Sequence, residues 1–431
     1  MRNGIWAAKE LFCPGSRTRR RLFIAQNGSG LFMRLGNFFQ SVFSRLKHPG
    51  DHDLRHVAND SALGVNGMPG FRFEVFHGIS GLFKLAPAWR ELTSKVETVR
   101  HFHSVDWFIA LAQTLDQYGD SNYLFVAVYD LSELVGVIPL RPINIGLCGV
   151  HIKALQLLSN VRETPTTRDI ILAESAAHTQ VLIELIRYLD QLDASWDVLS
   201  LAGVLEDSCA MTAFENASPV PAISTPGGAC GRVTFISCGP NDAPFNRLSK
   251  GFRQNLRTAH NKIIAKEVSF VCACTPDELT KFYPKLVSVE SSGWKRNESS
   301  SIINHPQFDS FLRHLISQLG PVGGCEIHLM QLSGQTIAGM LCVVLNNICF
   351  LHVVGYDEAY YQLSPVHLLI ENLVATRGGS GQLNSVTTSH APEWFASWKP
   401  DQTLKVSNIY LFRPSKRGAK LHSQMSKNCP K

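Results

Sequence analysis

The chain has 431 residues, 45% hydrophobic and 18% charged, which is ordinary globular composition and enough length for two domains. Its net charge of +6 is local: residues 1–50 carry nine Lys and Arg against one acid, Glu10, so the remainder sums to −2 and no DNA partner is expected. Eleven scattered cysteines, with no CxxC and no zinc-like Cys/His spacing, predict a reduced cytoplasmic chain without a metal site, and no apolar run is long enough to span a bilayer.

Residues 1–70 read as a basic, partly amphipathic extension. In "LFMRLGNFFQSVFSRL", Leu31, Leu35, Phe38, Phe39, Val42 and Leu46 share one helical face, with Arg34 and Arg45 off it. Such a segment suits peripheral contact with anionic lipid; docking on the protein itself and an over-long reading frame are the alternatives. It lacks the apolar core and small-residue cleavage site of a secretory signal.

Residues 71–215 alternate between strand and helix patterns. "FRFEVF" reads as a strand, "PAWRELTSKV" and "DWFIALAQTLDQYG" as helices, and "YLFVAVYD" with "ELVGVIPLRPI" as a strand pair; "HTQVLIELIRYLDQL" is a helix before the strand "WDVLSLAG". Residues 216–244, rich in Pro, Gly, Ser and Ala, read as a linker with a connecting strand. Residues 245–412 then repeat the plan, and 413–431 read as a basic flexible tail. "FVAVYDLSELVGVIPL" and "IHLMQLSGQTIAGMLCV" share strand, polar turn and strand, with Gly136 and Gly339 early in the return strand. The body is therefore expected to be two related α/β units, an internal duplication.

In the second unit the apolar run "ICFLHVVGY" leads through "DEAYYQLSPVHLLIENLV" into a helix. Ser364 is expected to cap that helix, Pro365 suits its first turn, and Val366, Leu369, Ile370 and Leu373 form its buried stripe. The polarised helix N-terminus favours anions, phosphates among them.

Together with this junction, "LSKGFRQNLRTA" (248–259), "ESSGWKRNESSSI" (290–302) and "WFASWKP" (394–400) resemble the acetyltransferase-like domain of the CelD/BcsL type, from cellulose biosynthesis. That branch of the GNAT superfamily is related to FemAB-like transferases. The resemblance covers residues 245–412, and more faintly the first half through "HFHSVDWFIAL" and "LVGVIPLR". It implies tandem GNAT-like lobes, each a mixed, mostly antiparallel sheet flanked by helices. It further implies an acyltransferase using acetyl-CoA or another acyl-CoA on a small or saccharide acceptor. Pantetheine would lie along a central strand and the pyrophosphate at the next helix start, here Gln362, Ser364 and Val366. Val366 stands where the family commonly has glycine, and its β-branched side chain opposes close approach by a phosphate.

Direct acyl transfer needs a base of near-neutral pKa and donors for an oxyanion. His367, Asp357 and Tyr356 are the catalytic candidates. His352 is a second imidazole, placed by strand alternation on the same face as Val354. Lys250, Arg253 and Arg257 make a basic ridge suited to phosphate. Trp294 with Lys295, Trp398 with Lys399, and Tyr360 are candidates for holding an acceptor. Each also has a plainer use: packing for the histidines, an Asx-turn for Asp357, a solvated face for the ridge, and loop anchoring for the tryptophans. No Gly-x-Ser-x-Gly elbow, Walker loop or dinucleotide fingerprint is present.

Overall fold

The computed structural model describes residues 70–96, 99–147, 150–158, 167–193, 195–216, 220–227, 231–293, 301–388 and 391–428. The amphipathic segment with its expected membrane contact, and Trp294 with Lys295, lie outside the described residues. Among the described residues no helix is long and apolar enough to cross a membrane.

The first half forms β1 (Arg72–His77), α1 (Gly78–Thr93), α2 (Val105–Gln117), β2 (Leu124–Asp130), β3 (Glu133–Leu147) and β4 (Val150–Leu157). The short β5 (Ile171–Leu172), α3 (His178–Leu192), β6 (Val198–Leu205), α4 (Cys209–Asn216), β7 (Ala222–Pro226) and β8 (Arg232–Ser237) follow. The second half gives α5 (Lys250–Ile263), β9 (Val268–Ala273), α6 (Pro276–Glu290), α7 (Pro306–Leu319), β10 (Cys325–Leu332), β11 (Gln335–Leu345) and β12 (Ile348–Tyr356). It ends with α8 (Pro365–Leu373), β13 (Ser385–Thr388), β14 (Gln402–Phe412) and α9 (Lys416–Asn428).

Local chemistry sets many of these bounds. Ser104 caps α2 by accepting from Asp106 N–H, and Thr275 with Glu278 forms a reciprocal capping box on α6. Two expectations needed correction. The first helix starts not at Pro87 but at Gly78, and runs through Pro87 because Leu82, Leu85, Trp89 and Leu92 bury a continuous stripe. That burial, at roughly 1.5–3 kcal/mol per large apolar side chain, outweighs the cost of one helical proline. Nor is the C-terminal stretch simply a flexible tail: it forms α9, which buries Leu421 and Met425 against Tyr410 and Phe412.

The strands form one mixed, mostly antiparallel sheet in the order β1-β2-β3-β4-β6-β14-β8-β13-β12-β11-β10-β9. Two pairs on this path are parallel, β4 with β6 and β12 with β13. Each follows a meander of antiparallel strands and is connected through a helix, α3 or α8, so the plan occurs twice. The corresponding glycines support the duplication. Gly136 pairs with Val128 and Gly339 with Leu329, each shortly after one extra residue in its strand, Val135 or Ile337. A Cβ at Gly136 would strike Leu172, and one at Gly339 would sit 2.8 Å from Leu286 Cδ1.

Chain order and sheet order part company at the middle. β8, inside the stretch read as a linker, pairs with β13, whereas β14, from the second half, pairs with β6 through Val406–Phe412 and with β8 through Gln402–Lys405. The halves also share a core, in which α2 and α7 pack together. Thr114 Oγ1 lies 3.0 Å from His314 Nδ1, and Ser310 Oγ donates to Gln117 Oε1 at 2.6 Å.

Candidate functional site

The parallel ladder between β12 and β13 ends at Leu351 opposite Thr388, yet β12 continues to Tyr356. At that point β12 also carries a bulge: Leu341 pairs with Val353 and Cys342 with Leu351, so His352 is the extra residue. A bulge re-aims the side chains around it. Alternation, which assigned His352 to the face of Val354, therefore fails here. Val354 packs under α8, while the His352 ring lies 5.2 Å from Trp107, 5.5 Å from Phe350 and 5.9 Å from Phe308 on the opposite face.

The first half contributes His101 to the same face. Its ring stacks on Phe350 with centroids 3.8 Å apart and planes 7° from parallel. Burial, aided by His352, His103 and Arg100, holds its pKa well below the ordinary imidazole value, so it is neutral at pH 7. A small cavity beside it is lined by Arg100, Phe102, Phe235, Thr387 and Thr388. Sequence reasoning did not single out His101; the available signal was "RHFH" just before a capped helix.

At the other end of β12, Asp357 accepts from Ala359 N–H at 3.0 Å and starts a short 3-10 helix, Glu358–Leu363. It orients the turn, as an Asx residue does. Tyr360 donates to Gln335 Oε1 at 3.1 Å and so braces the turn against β11. Ser364 sits in the left-handed region (φ 49°, ψ 49°) and its side chain makes no capping bond, contrary to expectation, because the chain must reverse out of the 3-10 helix in a single residue. The first bond of α8 runs from Leu368 N–H to Ser364 O, so the Val366 and His367 N–H groups precede the ladder and point out of the helix end. Val366 packs against the core under α8. Lys262, which sequence reasoning passed over, donates to Gln362 O at 3.0 Å and adds a cation to this helix start.

His367 occupies a different environment from a solvent-facing base. Trp398 Nε1 donates to His367 Nδ1 at 3.2 Å, and Phe252 and Trp394 flank the ring at 5.1 and 6.3 Å. Burial pushes its pKa down to about 4. Trp398 is fully buried against Phe245 and Phe252, so it is core rather than a stacking platform; Lys399 is exposed. Arg253 and Arg257 are exposed on α5, and His260, one turn further, donates to Glu371 of α8 at 2.8 Å. The ridge thus runs beside α8.

The stem of the Trp-Lys loop meets β12. Gly293 approaches so closely that a Cβ there would lie 3.0 Å from Tyr356 O. On its far side Ser301 Oγ and Ile302 N–H donate to buried Glu290, at 2.6 and 3.1 Å. The loop stem thus meets the end of β12 at Tyr356, Lys262 meets Gln362 ahead of α8, and His367 and Trp398 lie in the packing beneath.

Over residues 348–373, then, a bulged strand outruns its parallel neighbour and leads through a 3-10 turn into a helix N-terminus. Residues 250–376 match the family model described as acetyltransferase (GNAT) domain. No curated protein matches the chain. Among solved structures the chain is similar to FemX, with 10% identity, TM-score 0.52, and coverage of 81% of this chain and 99% of that one. L-PGS from Bacillus licheniformis is 11% identical with TM-score 0.46, covering 80% and 97%. A tandem GNAT protein from the clavulanic acid biosynthesis pathway is 10% identical with TM-score 0.42, covering 80% and 100%. At such identities the likeness is one of fold.

Proposed function

We propose that the protein is an acyl-CoA-dependent N- or O-acyltransferase whose reaction takes place where β12 runs on beyond the end of β13. The observation that carries this reading is the coincidence, on one strand, of the end of its ladder with β13, the bulge at His352 and the helix start that follows at Ser364. Pantetheine runs along the stretch of β12 that β13 leaves unpaired, and the phosphates meet the Val366 and His367 N–H groups with Lys262, Arg253 and Arg257 on the neighbouring helix. The acyl carbonyl then lies beside His352, next to the aromatic face that α2 and α7 build. The acceptor's amine or hydroxyl attacks the thioester carbon; a C–N or C–O bond forms, the C–S bond breaks, and the acceptor's proton passes through the His352 imidazole to the departing thiolate. His352 replaces His367 as the preferred imidazole, since His367 is engaged by Trp398. Tyr356 and Asp357 shape the end of the strand. Trp294 and Lys295 are assigned to the acceptor, for which the CelD/BcsL resemblance suggests a saccharide.

Calorimetry of the full chain with acetyl-CoA and longer acyl-CoAs tests the reading. Saturable binding, weakened by Arg253→Ala and lost in a folded Val366→Asp variant, is expected. Absence of binding at every chain length overturns it. The exposed basic ridge on α5 would then favour an aminoacyl-tRNA donor, and failure of both donors would leave a non-catalytic accessory role.

A further inference from the structure

A second cluster of reactive side chains lies on the outer strands of the same lobe. β9 is the last strand of the sheet, and its Cys272 stands opposite His328 of β10. Glu326, two residues before His328, shares that face because side chains alternate along a strand. His328 Nε2 is 2.9 Å from Glu326 Oε2 and 3.9 Å from Cys272 Sγ, and all three donor atoms lie within 4.8 Å of one another. Zinc binds nitrogen and oxygen at roughly 2.0–2.2 Å and sulfur at roughly 2.3 Å, which places donors of a tetrahedral shell about 3.3–3.8 Å apart. The three atoms therefore need only small rotamer adjustments to surround one ion.

We propose that Cys272, Glu326 and His328 bind one zinc ion, with water from the open rim as fourth ligand. Soft thiolate with imidazole and carboxylate is a donor set that selects zinc over magnesium or calcium. Glu326 and His328 are 1% and 4% exposed, so the strand backbone holds them in place, whereas Cys272 is exposed and gives the ion its route in. Arg377, on the π-helical turn Val374–Gly378 after α8, pairs with Glu326 Oε1 and leaves Oε2 facing the other two donors. An outer partner of this kind orients a ligating carboxylate. The ion fastens β9, which among the described residues pairs only with β10 and so stands at the edge of the sheet, where a strand is open to unwanted pairing. Spacing rules miss the set because the cysteine lies in a different strand, separated from the other two ligands by two helices.

The test uses the full chain, stripped with chelator and titrated with zinc against a chromophoric competitor, then with cobalt as a spectroscopic substitute. One equivalent of zinc should bind, and the cobalt form should show a thiolate-to-metal charge-transfer band. Cys272→Ser and His328→Gln should each weaken zinc at least tenfold, while Cys274→Ser, at the neighbouring exposed thiol, should leave both signals unchanged. Cys272 is exposed, so its serine variant keeps the fold and decides the matter even where His328→Gln does not fold. Substoichiometric zinc, zinc that survives Cys272→Ser, or a cobalt spectrum without the thiolate band would overturn the site and leave a metal-free Arg377–Glu326–His328 network.

Discussion

Gly339 and Gly355 stand directly opposite each other across β11 and β12, and the end of α6 rests on the pair. A Cβ at Gly355 would lie 2.6 Å from Glu290 Cα, and one at Gly339 2.8 Å from Leu286 Cδ1. Two missing side chains thus let the helix approach closely enough for Glu290 to hold Ser301 and Ile302, the far stem of the Trp-Lys loop.

Gly355→Ala should consequently destabilise the protein by about 1–3 kcal/mol, the usual range for overpacking, and should do more damage than Gly339→Ala. The difference arises because Gly355 faces helix backbone whereas Gly339 faces the ends of flexible leucines. Urea unfolding of the two variants measures it; equal costs would show that α6 can shift freely.

Glu290→Ala should cost about 1–3 kcal/mol as well, since the Ser301 hydroxyl and Ile302 N–H would be left buried without their acceptor. Urea unfolding of Glu290→Ala and of Ser301→Ala should both show the loss, since the two side chains share one bond. An unchanged midpoint in Glu290→Ala would show that Ser301 and Ile302 find other partners.

Acid sensitivity should trace in part to His367. In the unfolded chain its imidazole protonates near 6.5, and in the folded protein only near 4, because burial opposes the charge. Between those values the unfolded state holds the extra proton, so stability rises with pH there. The contribution is complete above about 6.5 and is lost as pH falls toward 4. His367→Leu should flatten this limb by on the order of 2 kcal/mol, read from denaturant midpoints at pH 7 and pH 4.5. A limb of undiminished slope would assign the loss to other groups, buried His101 first among them.

Lys262→Ala should reduce acyl-CoA affinity about three- to tenfold, the loss of one charge-assisted contact at a helix start. Added salt should weaken the parent more than the variant. Calorimetry at two ionic strengths distinguishes this from a purely structural effect, which would leave the salt dependence intact.

Where an acceptor supports turnover, His352→Gln should lower kcat by about 10²–10⁴-fold, the range for a positioned acid–base group. His367→Gln should act chiefly on stability. The opposite ranking in steady-state assays would return the catalytic role to His367.

Much of the architecture was legible in the linear chain. "HTQVLIELIRYLDQL" coincides with α3 at both ends, His178–Leu192, because its apolar period and the breaks around it agree. The repeated hairpin with Gly136 and Gly339 announced the duplication, since a strand position without room for a Cβ leaves its mark on residue choice. The helix start was legible in place but not in detail: Ser364 precedes α8, yet its left-handed backbone follows from the 3-10 turn before it.

What the amino-acid sequence determined by itself was local: periodicity, caps, turn residues and the positions of two hairpins, all set by interactions a few residues apart. Tertiary structure decided which histidine faces the aromatic side of α2 and α7 and which is bonded to tryptophan. One extra residue in β12 breaks the two-residue period that assigns faces, and Trp398 reaches His367 from 31 residues along the chain. It also decided that β14 crosses to the first half's strands while β8 joins the second's. Strand pairing answers to which edges are left to be covered in space, and that information does not reside in any short stretch of chain.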